Sequence, residues 1–303
     1  LPFEDVNKFA EDEKGNLWIG TNGGGLLYFD RTANSYKSYR HDPRDPNSIS
    51  SDVIVSLCID HEKKLWVGTY FGGLNCFDGR RFIHFRHDSR DSGSVSDDSI
   101  WEIFEDTDKN LWIGTLSGGL NLFNRKTKRF TRFNVENRST HSNYISTIIE
   151  DRKGRILFGT SNGIDWYAKS SAKFEYLGHN DNEPNSLSNN NVMAILEDSR
   201  GLIWVGTREG LNLMHRDGKG FSIFRKEDGL PDNTILTVLE DNLHNLWLST
   251  PNGISQAVVN QKADGEIALH FINYDESNGL QGREFNDKAG FKTRSGELIL
   301  GGP

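Results

Sequence analysis

The chain has 303 residues, 35% of them hydrophobic, and a formal net charge of −8 at pH 7. That acidic balance argues against nucleic acid or an anionic membrane surface as partner, and no apolar run approaches the roughly 20 residues that span a bilayer. With 11% aromatic residues, 31 glycines and only two methionines, the composition suits short strands joined by tight turns.

The opening residues Leu1-Pro2-Phe3-Glu4-Asp5 carry neither the basic nor the apolar part of a signal peptide. The first strong signal is LWIGT at Leu17–Thr21, and it returns along the chain. The further copies are LWVGT at Leu65–Thr69, LWIGT at Leu111–Thr115, ILFGT at Ile156–Thr160, IWVGT at Ile203–Thr207, LWLST at Leu246–Thr250 and LILGG at Leu298–Gly302. Successive copies lie 43 to 52 residues apart, the period of a repeat architecture. In the third copy, strands are predicted over Ser99–Glu105, Asn110–Thr115, Leu120–Asn124 and Phe130–Phe133. Asp106-Thr107-Asp108-Lys109 turns the chain between the first two, and Ser117-Gly118-Gly119 between the next two. A longer polar stretch, Asn134–Ser142, leads to the next copy. Four short antiparallel strands per repeat of about 46 residues is the arithmetic of a propeller blade. Helical spacing of apolar residues is sustained nowhere. The expected fold is therefore all-β, a seven-bladed β-propeller of four-stranded antiparallel blades. It forms a single domain over 1–303, with blades near 1–50, 51–96, 97–142, 143–188, 189–231, 232–280 and, incomplete, 281–303.

Trp18, Trp66, Trp112, Trp204 and Trp247, with Phe158 in the fourth copy, share one position and are read as core filling the wedge between blades. Asp12, Asp60, Asp106, Asp151, Asp198 and Asp241 close the first strands, where each can accept hydrogen bonds from turn amides. The stretch Asp106–Asn110 lacks the glycine and terminal Glu of a calcium loop, so no metal is assigned, and no cofactor either. Cys58 and Cys76 fall on the first and third strands of one blade, about 10 Å apart at a strand spacing of ~4.8 Å and so beyond disulfide reach. The runs Gly23-Gly24-Gly25, Gly72-Gly73 and Gly118-Gly119 recur with the blade and sit between strands, so they are turns and not a phosphate loop.

The repeats at Glu11–Leu26, Glu105–Leu120, Glu150–Ile164 and Glu197–Leu211 resemble the two-component regulator propeller repeat. The linkers FRHDSRDSGSVSDDSI (Phe85–Ile100) and HNDNEPNSLSNNNV (His179–Val192) match its pattern, and NGLQGREFN (Asn278–Asn286) is similar to the opening of its last blade. The resemblance implies the periplasmic sensor region of a hybrid two-component system, whose ligands are commonly oligosaccharides. Its propellers are typically followed by an immunoglobulin-like domain, a membrane helix and a histidine kinase. No such parts are legible here, and the seventh copy stops at Gly301-Gly302-Pro303 with two of four strands. The expectation is one propeller of a longer sensor, anchored through other domains and without direct membrane contact.

In a propeller, the loops entering each first strand and those between second and third strands share a face, and here that is where the copies diverge. The between-strand loops read Asn22, Tyr70-Phe71, Leu116-Ser117, Ser161-Asn162, Arg208-Glu209 and Pro251-Asn252. The entry loops read Asp52, Ser99 with Trp101, Tyr144, Asn191, Asn233, and Arg283 with Asn286. Aromatic rings among amides and charges suit a sugar, whose C–H faces pack on rings while its hydroxyls hydrogen-bond. The candidate ligand-binding residues are Tyr70, Trp101, Tyr144, Asn191, Arg208, Glu209, Arg283 and Asn286. Arg283 can alternatively pair with its neighbour Glu284. Trp101 departs from Val55 and Met193 at its position and has two readings, facing the channel or filling space between blades.

Two other functions compete. A protein-interaction or dimerisation platform would use an exposed anchor such as Phe71. A propeller enzyme of the streptogramin-lyase type needs a histidine and a metal-binding carboxylate at the channel. Of nine histidines only His141 approaches the mouth, and no paired carboxylates accompany it, so no catalytic residue is assigned.

Overall fold

The computed structural model describes residues 2–263 and 265–303; Leu1 and Asp264 lie outside them. Two compact units divide the chain, Leu1–Ser161 with Asp165–Glu175, and Asn162–Ile164 with Tyr176–Pro303.

In the first unit the strands come in sequential antiparallel sets: β1 (Val6–Glu11) to β4 (Ser35–Tyr39) through β2 (Leu17–Thr21) and β3 (Leu26–Asp30), then β5 (Ile54–Ile59), β6 (Leu65–Thr69), β7 (Gly73–Phe77) and β8 (Phe82–Phe85). The third set is β9 (Ile100–Glu105), β10 (Leu111–Thr115), β11 (Leu120–Asn124) and β12 (Arg129–Phe133), and the fourth, whose 163–164 and 176–177 fall to the second unit, is β13 (Ile145–Glu150), β14 (Arg155–Thr160), β15 (Gly163–Ala168) and β16 (Lys173–Leu177). β1 packs beside β5, β5 beside β9 and β9 beside β13. The second unit holds β17 (Val192–Glu197), β18 (Ile203–Thr207), β19 (Gly210–Met214) and β20 (Phe221–Phe224). Then come β21 (Thr237–Glu240), β22 (Leu246–Thr250), β23 (Gly253–Gln261), β24 (Ile267–Tyr274) and the two-stranded pair β25 (Gly290–Lys292) and β26 (Leu298–Leu300). The fold is thus an all-β propeller of four-stranded blades with an incomplete last one. No helix of the described residues is long and apolar enough to cross a membrane.

Each letter of LWIGT has a separate physical task. In β10, Leu111, Trp112 and Ile113 are buried. Gly114 permits close approach of the next blade, because a Cβ there would stand 2.6 Å from Cγ2 of Ile145 on β13. The Thr115 hydroxyl donates to the Gly119 carbonyl at 2.8 Å and closes the following turn, as Thr69 does to Gly73.

The aspartates behind the first strands do more than cap turns. One carboxylate oxygen of Asp106 accepts the Asn110 amide, and the other accepts the Trp112 indole N–H at 2.9 Å. Trp66, Trp204 and Trp247 donate in the same way to Asp60, Asp198 and Asp241. The fourth blade has Phe158, which cannot donate, and there the Arg155 guanidinium takes the free oxygen of Asp151 at 2.7 Å. In the first blade the Tyr28 hydroxyl fills that role on Asp12.

Cys58 and Cys76 are free thiols on β5 and β7, both register partners of Trp66 on the strand between. Burial pushes Cys58 up to about 12 and Cys76 to about 11, so neither is a reactive thiolate.

Candidate functional site

The two loop families of the candidate face are stapled side by side. The amides of Gly73 and Gly119, in the turns after β6 and β10, donate to the carbonyls of Asp98 and Asn143, which lead into the next blades. In the second unit Gly163 bonds Asn190 and Gly253 bonds Arg283 in the same way. Gly73 has φ +79°, and a Cβ there would meet the Phe85 carbonyl at 2.5 Å, so this position requires glycine. Such staples fix where the variable residues stand.

In the first unit they bring three of the candidate residues together. The register shift opposite Gly114/Thr115 makes Trp101 the bulge residue of β9, and a bulge re-aims a side chain. Its half-buried ring lies between Tyr70, at 6.4 Å, and Tyr144, at 5.9 Å, both edge to face. Tyr70 continues to Phe71, with ring centroids 4.0 Å apart. Phe71 is 66% exposed and sits at φ +57°. A bulky aromatic in the left-handed region costs about 1–2 kcal/mol relative to glycine, and such strain concentrates at functional positions. The loop is held by Arg86, whose guanidinium donates to the Phe71 carbonyl at 3.4 Å. The sequence offers Phe71 as a contact anchor, but its left-handed turn conformation is not legible from the motif.

The other candidates belong to the second unit. Arg208 and Glu209 are exposed in the turn after β18, with the Arg208 amide donating to the Asn191 carbonyl at 3.3 Å. The Glu209 carbonyl accepts from Arg225 at 3.0 Å. Asn286 donates its amide to Gly301 beside β26. Arg283 pairs with Glu276 at 2.6 Å rather than with Glu284, because the 3-10 turn Glu276–Asn278 presents that carboxylate to it. Asn191, Arg208 and Glu209 therefore share one corner.

His141 has a specific partner. The buried Asn75 and Asn121 each accept a linker serine amide, that of Ser50 or Ser96, and donate back to its hydroxyl. In the fourth blade this clamp is rewritten as His141 and Asp165, with the His141 amide at 3.1 Å and Nδ1 at 2.6 Å from the Asp165 carboxylate. Burial raises the Asp165 carboxyl, and the His141 hydrogen bonds only partly offset it. His141→Ser alone is expected to cost about 2 kcal/mol by leaving a buried carboxylate short of donors. Adding Asp165→Asn, which rebuilds the clamp of the other blades, should recover most of that loss. Urea denaturation of the two singles and the double measures this coupling. Among the described residues no group of three or more His, Cys, Asp and Glu is placed to hold a metal ion.

The chain matches the two-component regulator propeller family at six places, residues 1–23, 48–71, 94–117, 140–162, 186–209 and 229–252. No curated protein matches it in sequence. Among solved structures it is similar to the extracellular domain of a hybrid two-component system from B. thetaiotaomicron, at 20% identity and a TM-score of 0.59, covering 98% of this chain and 50% of that one. The chain thus spans about half the length of that relative. It is also similar to PorZ, a surface component of the type-IX secretion system of Porphyromonas gingivalis, at 15% identity, TM-score 0.62, and 98% and 51% coverage. A third likeness is to catalytically inactive virginiamycin B lyase from Staphylococcus aureus with quinupristin, at 12% identity, TM-score 0.68, and 99% and 93% coverage. At these identities the likenesses establish the fold alone.

Proposed function

This chain belongs to the two-component regulator propeller family, and we propose that it is the ligand-sensing propeller of a periplasmic sensor region, recognising an oligosaccharide. The observation that carries the reading is the row of Tyr70, Trp101 and Tyr144 on three successive blades, with rings spaced on the scale of successive sugar rings. Each aromatic offers an apolar surface to C–H groups, and the two tyrosines add hydroxyls for the polar edges. The strained, exposed Phe71 extends the row. On the second unit Asn191, Arg208 and Glu209 supply a polar corner, and Asn286 and the Glu276-paired Arg283 add further polar groups, with amide, guanidinium and carboxylate chemistry matched to hydroxyls or a uronate. Signalling would run through further domains of the parent sensor, and only a ligand that binds two arrangements of it unequally can switch it.

Calorimetric titration with a panel of neutral and acidic oligosaccharides tests the reading. Saturable binding to one glycan class is expected, weakened about tenfold or more in Trp101→Ala. Arg208→Ala reads the second unit separately, and its effect should be larger for acidic glycans. Phe71→Gly should leave stability unchanged or raise it by up to ~1 kcal/mol while weakening the same binding, because it relieves the left-handed strain. A folded protein that binds no member of the panel would sink the proposal.

The exposure of Phe71 favours one second reading, an anchor for protein contact such as a homodimer. Light scattering that shows a dimer dispersed by Phe71→Ser would select it.

A further inference from the structure

On the side of the first unit where first strands turn into second strands, the clefts between neighbouring blades are plugged by a basic residue that follows the third strand. Between the second and third blades Arg125 reaches the buried Asp60 at 2.7 Å and Glu105 at 2.5 Å. Between the third and fourth, Lys169 reaches Asp106 at 3.1 Å and Glu150 at 2.6 Å. Each plug thus spans the turn aspartate of one blade and the strand-ending glutamate of the next. The same glutamates also accept the backbone amides of His61 and Thr107 across the cleft.

Between the first and second blades every part of this device but one is missing. The residue aligned with Arg125 and Lys169 is Gly79, and the turn that carries it is two residues shorter than the one after β11. The residue aligned with Glu105 and Glu150 is Ile59. Only the aspartate remains: Asp12 accepts its turn amides and the Tyr28 hydroxyl at 2.7 Å, where Asp60 and Asp106 also hold a cation. The result is a cleft of about 660 Å³, bounded by Asp12, Trp18, Tyr28, Tyr39, Ile59 and Phe77. That is the size range of small-molecule sites, about 300–1,000 Å³. Four lysines line the cleft, Lys14, Lys37, Lys63 and Lys64, against the carboxylates of Asp12, Glu13, Glu62 and Asp78. Lys63 and Lys64 are exposed at the rim and paired with Glu13 and Glu62. Lys37 lies over the Tyr39 ring at 4.7 Å, which shows that this wall accepts a cation on its face.

We propose that this cleft is a binding site for a small organic cation, an amidinium, guanidinium or ammonium group on an apolar body. The charged head takes the place that Arg125 and Lys169 occupy in the neighbouring clefts and pairs with Asp12. The apolar body lies against Ile59 and the aromatic walls, where burial and cation–π attraction add to the ion pair. The site lies on the side opposite the Tyr70–Trp101–Tyr144 row and stands independently of the sugar reading.

Benzamidine and its neutral isostere benzamide are suitable probes, titrated calorimetrically against the intact chain near neutral pH. Saturable benzamidine binding is expected, with benzamide at least tenfold weaker. Asp12→Asn, which keeps the turn cap but removes the charge, should weaken benzamidine about tenfold and leave benzamide unchanged. Ile59→Glu rebuilds the second carboxylate of the neighbouring clefts and should tighten benzamidine severalfold, a gain that does not depend on Asp12→Asn folding well. Equal affinity for the two probes, no saturable binding, or indifference of benzamidine to both substitutions would overturn the assignment.

Discussion

Replacing Asp106 by alanine is expected to destabilise the protein by about 3–5 kcal/mol, the cost of breaking a buried, hydrogen-bonded charge network by removing one member. The Asp106 side chain is fully buried, and four groups depend on it: the Asn110 amide, the Asn110 side chain, the Trp112 indole N–H and the Lys169 ammonium. Alanine leaves the indole donor of a core tryptophan unpaired and takes one anchor from Lys169. Asp106→Asn should cost less, since an amide oxygen still accepts, and the difference between the two variants isolates the charge. Urea denaturation checks both; a loss below about 1 kcal/mol for alanine would mean that the carboxylate is not a structural keystone. The same carboxylates set the response to acid. Burial alone would raise Asp106, but hydrogen bonds from Trp112, Asn110 and Lys169 outweigh it and hold the carboxyl below its ordinary value. Asp60 and Asp241 are lowered likewise, against burial, chiefly by Trp66 and Trp247. A carboxyl with a depressed folded value stabilises above its unfolded pKa and loses that stabilisation as pH falls through the folded one. The contribution of these carboxylates should therefore be constant near neutrality and decline below about pH 4.

Gly114→Val is expected to cost about 3 kcal/mol or more, although strand propensity alone favours valine over glycine. The reason lies in the neighbouring blade. Even the first side-chain carbon would stand 2.6 Å from Ile145 Cγ2 and 2.8 Å from Ile145 Cβ, well inside contact distance. Either β10 or β13 must shift, and the buried residues on both sides, Ile113 and Ile148 among them, would lose packing. Gly114→Ala combined with Ile145→Ala provides the control. The double should be more stable than the sum of the two singles by over about 1 kcal/mol, because the truncated isoleucine gives the new methyl group room. Strict additivity would show that Gly114 matters for its backbone freedom and not for blade contact.

What the sequence by itself determined is whatever repeats and is local. The blade period, the strand positions to within a residue or so, and the turn role of the aspartates follow from LWxGT and its flanks. These contacts join residues four to six positions apart, as in Asp106 with Asn110 and Trp112, so any copy of the motif contains both partners. Tertiary structure decided the rest. It placed Trp101 at a bulge between Tyr70 and Tyr144, residues 31 and 43 positions away, whereas the sequence left open which way that side chain points. It also joined His141 to Asp165, Arg283 to Glu276 and Arg125 to Asp60, and it opened the cleft at Gly79 where the plug is missing. Partners of this kind come from different repeats or from loops that do not repeat. Periodicity says which residues are equivalent, but contact between blades depends on how two equivalent positions face each other in space.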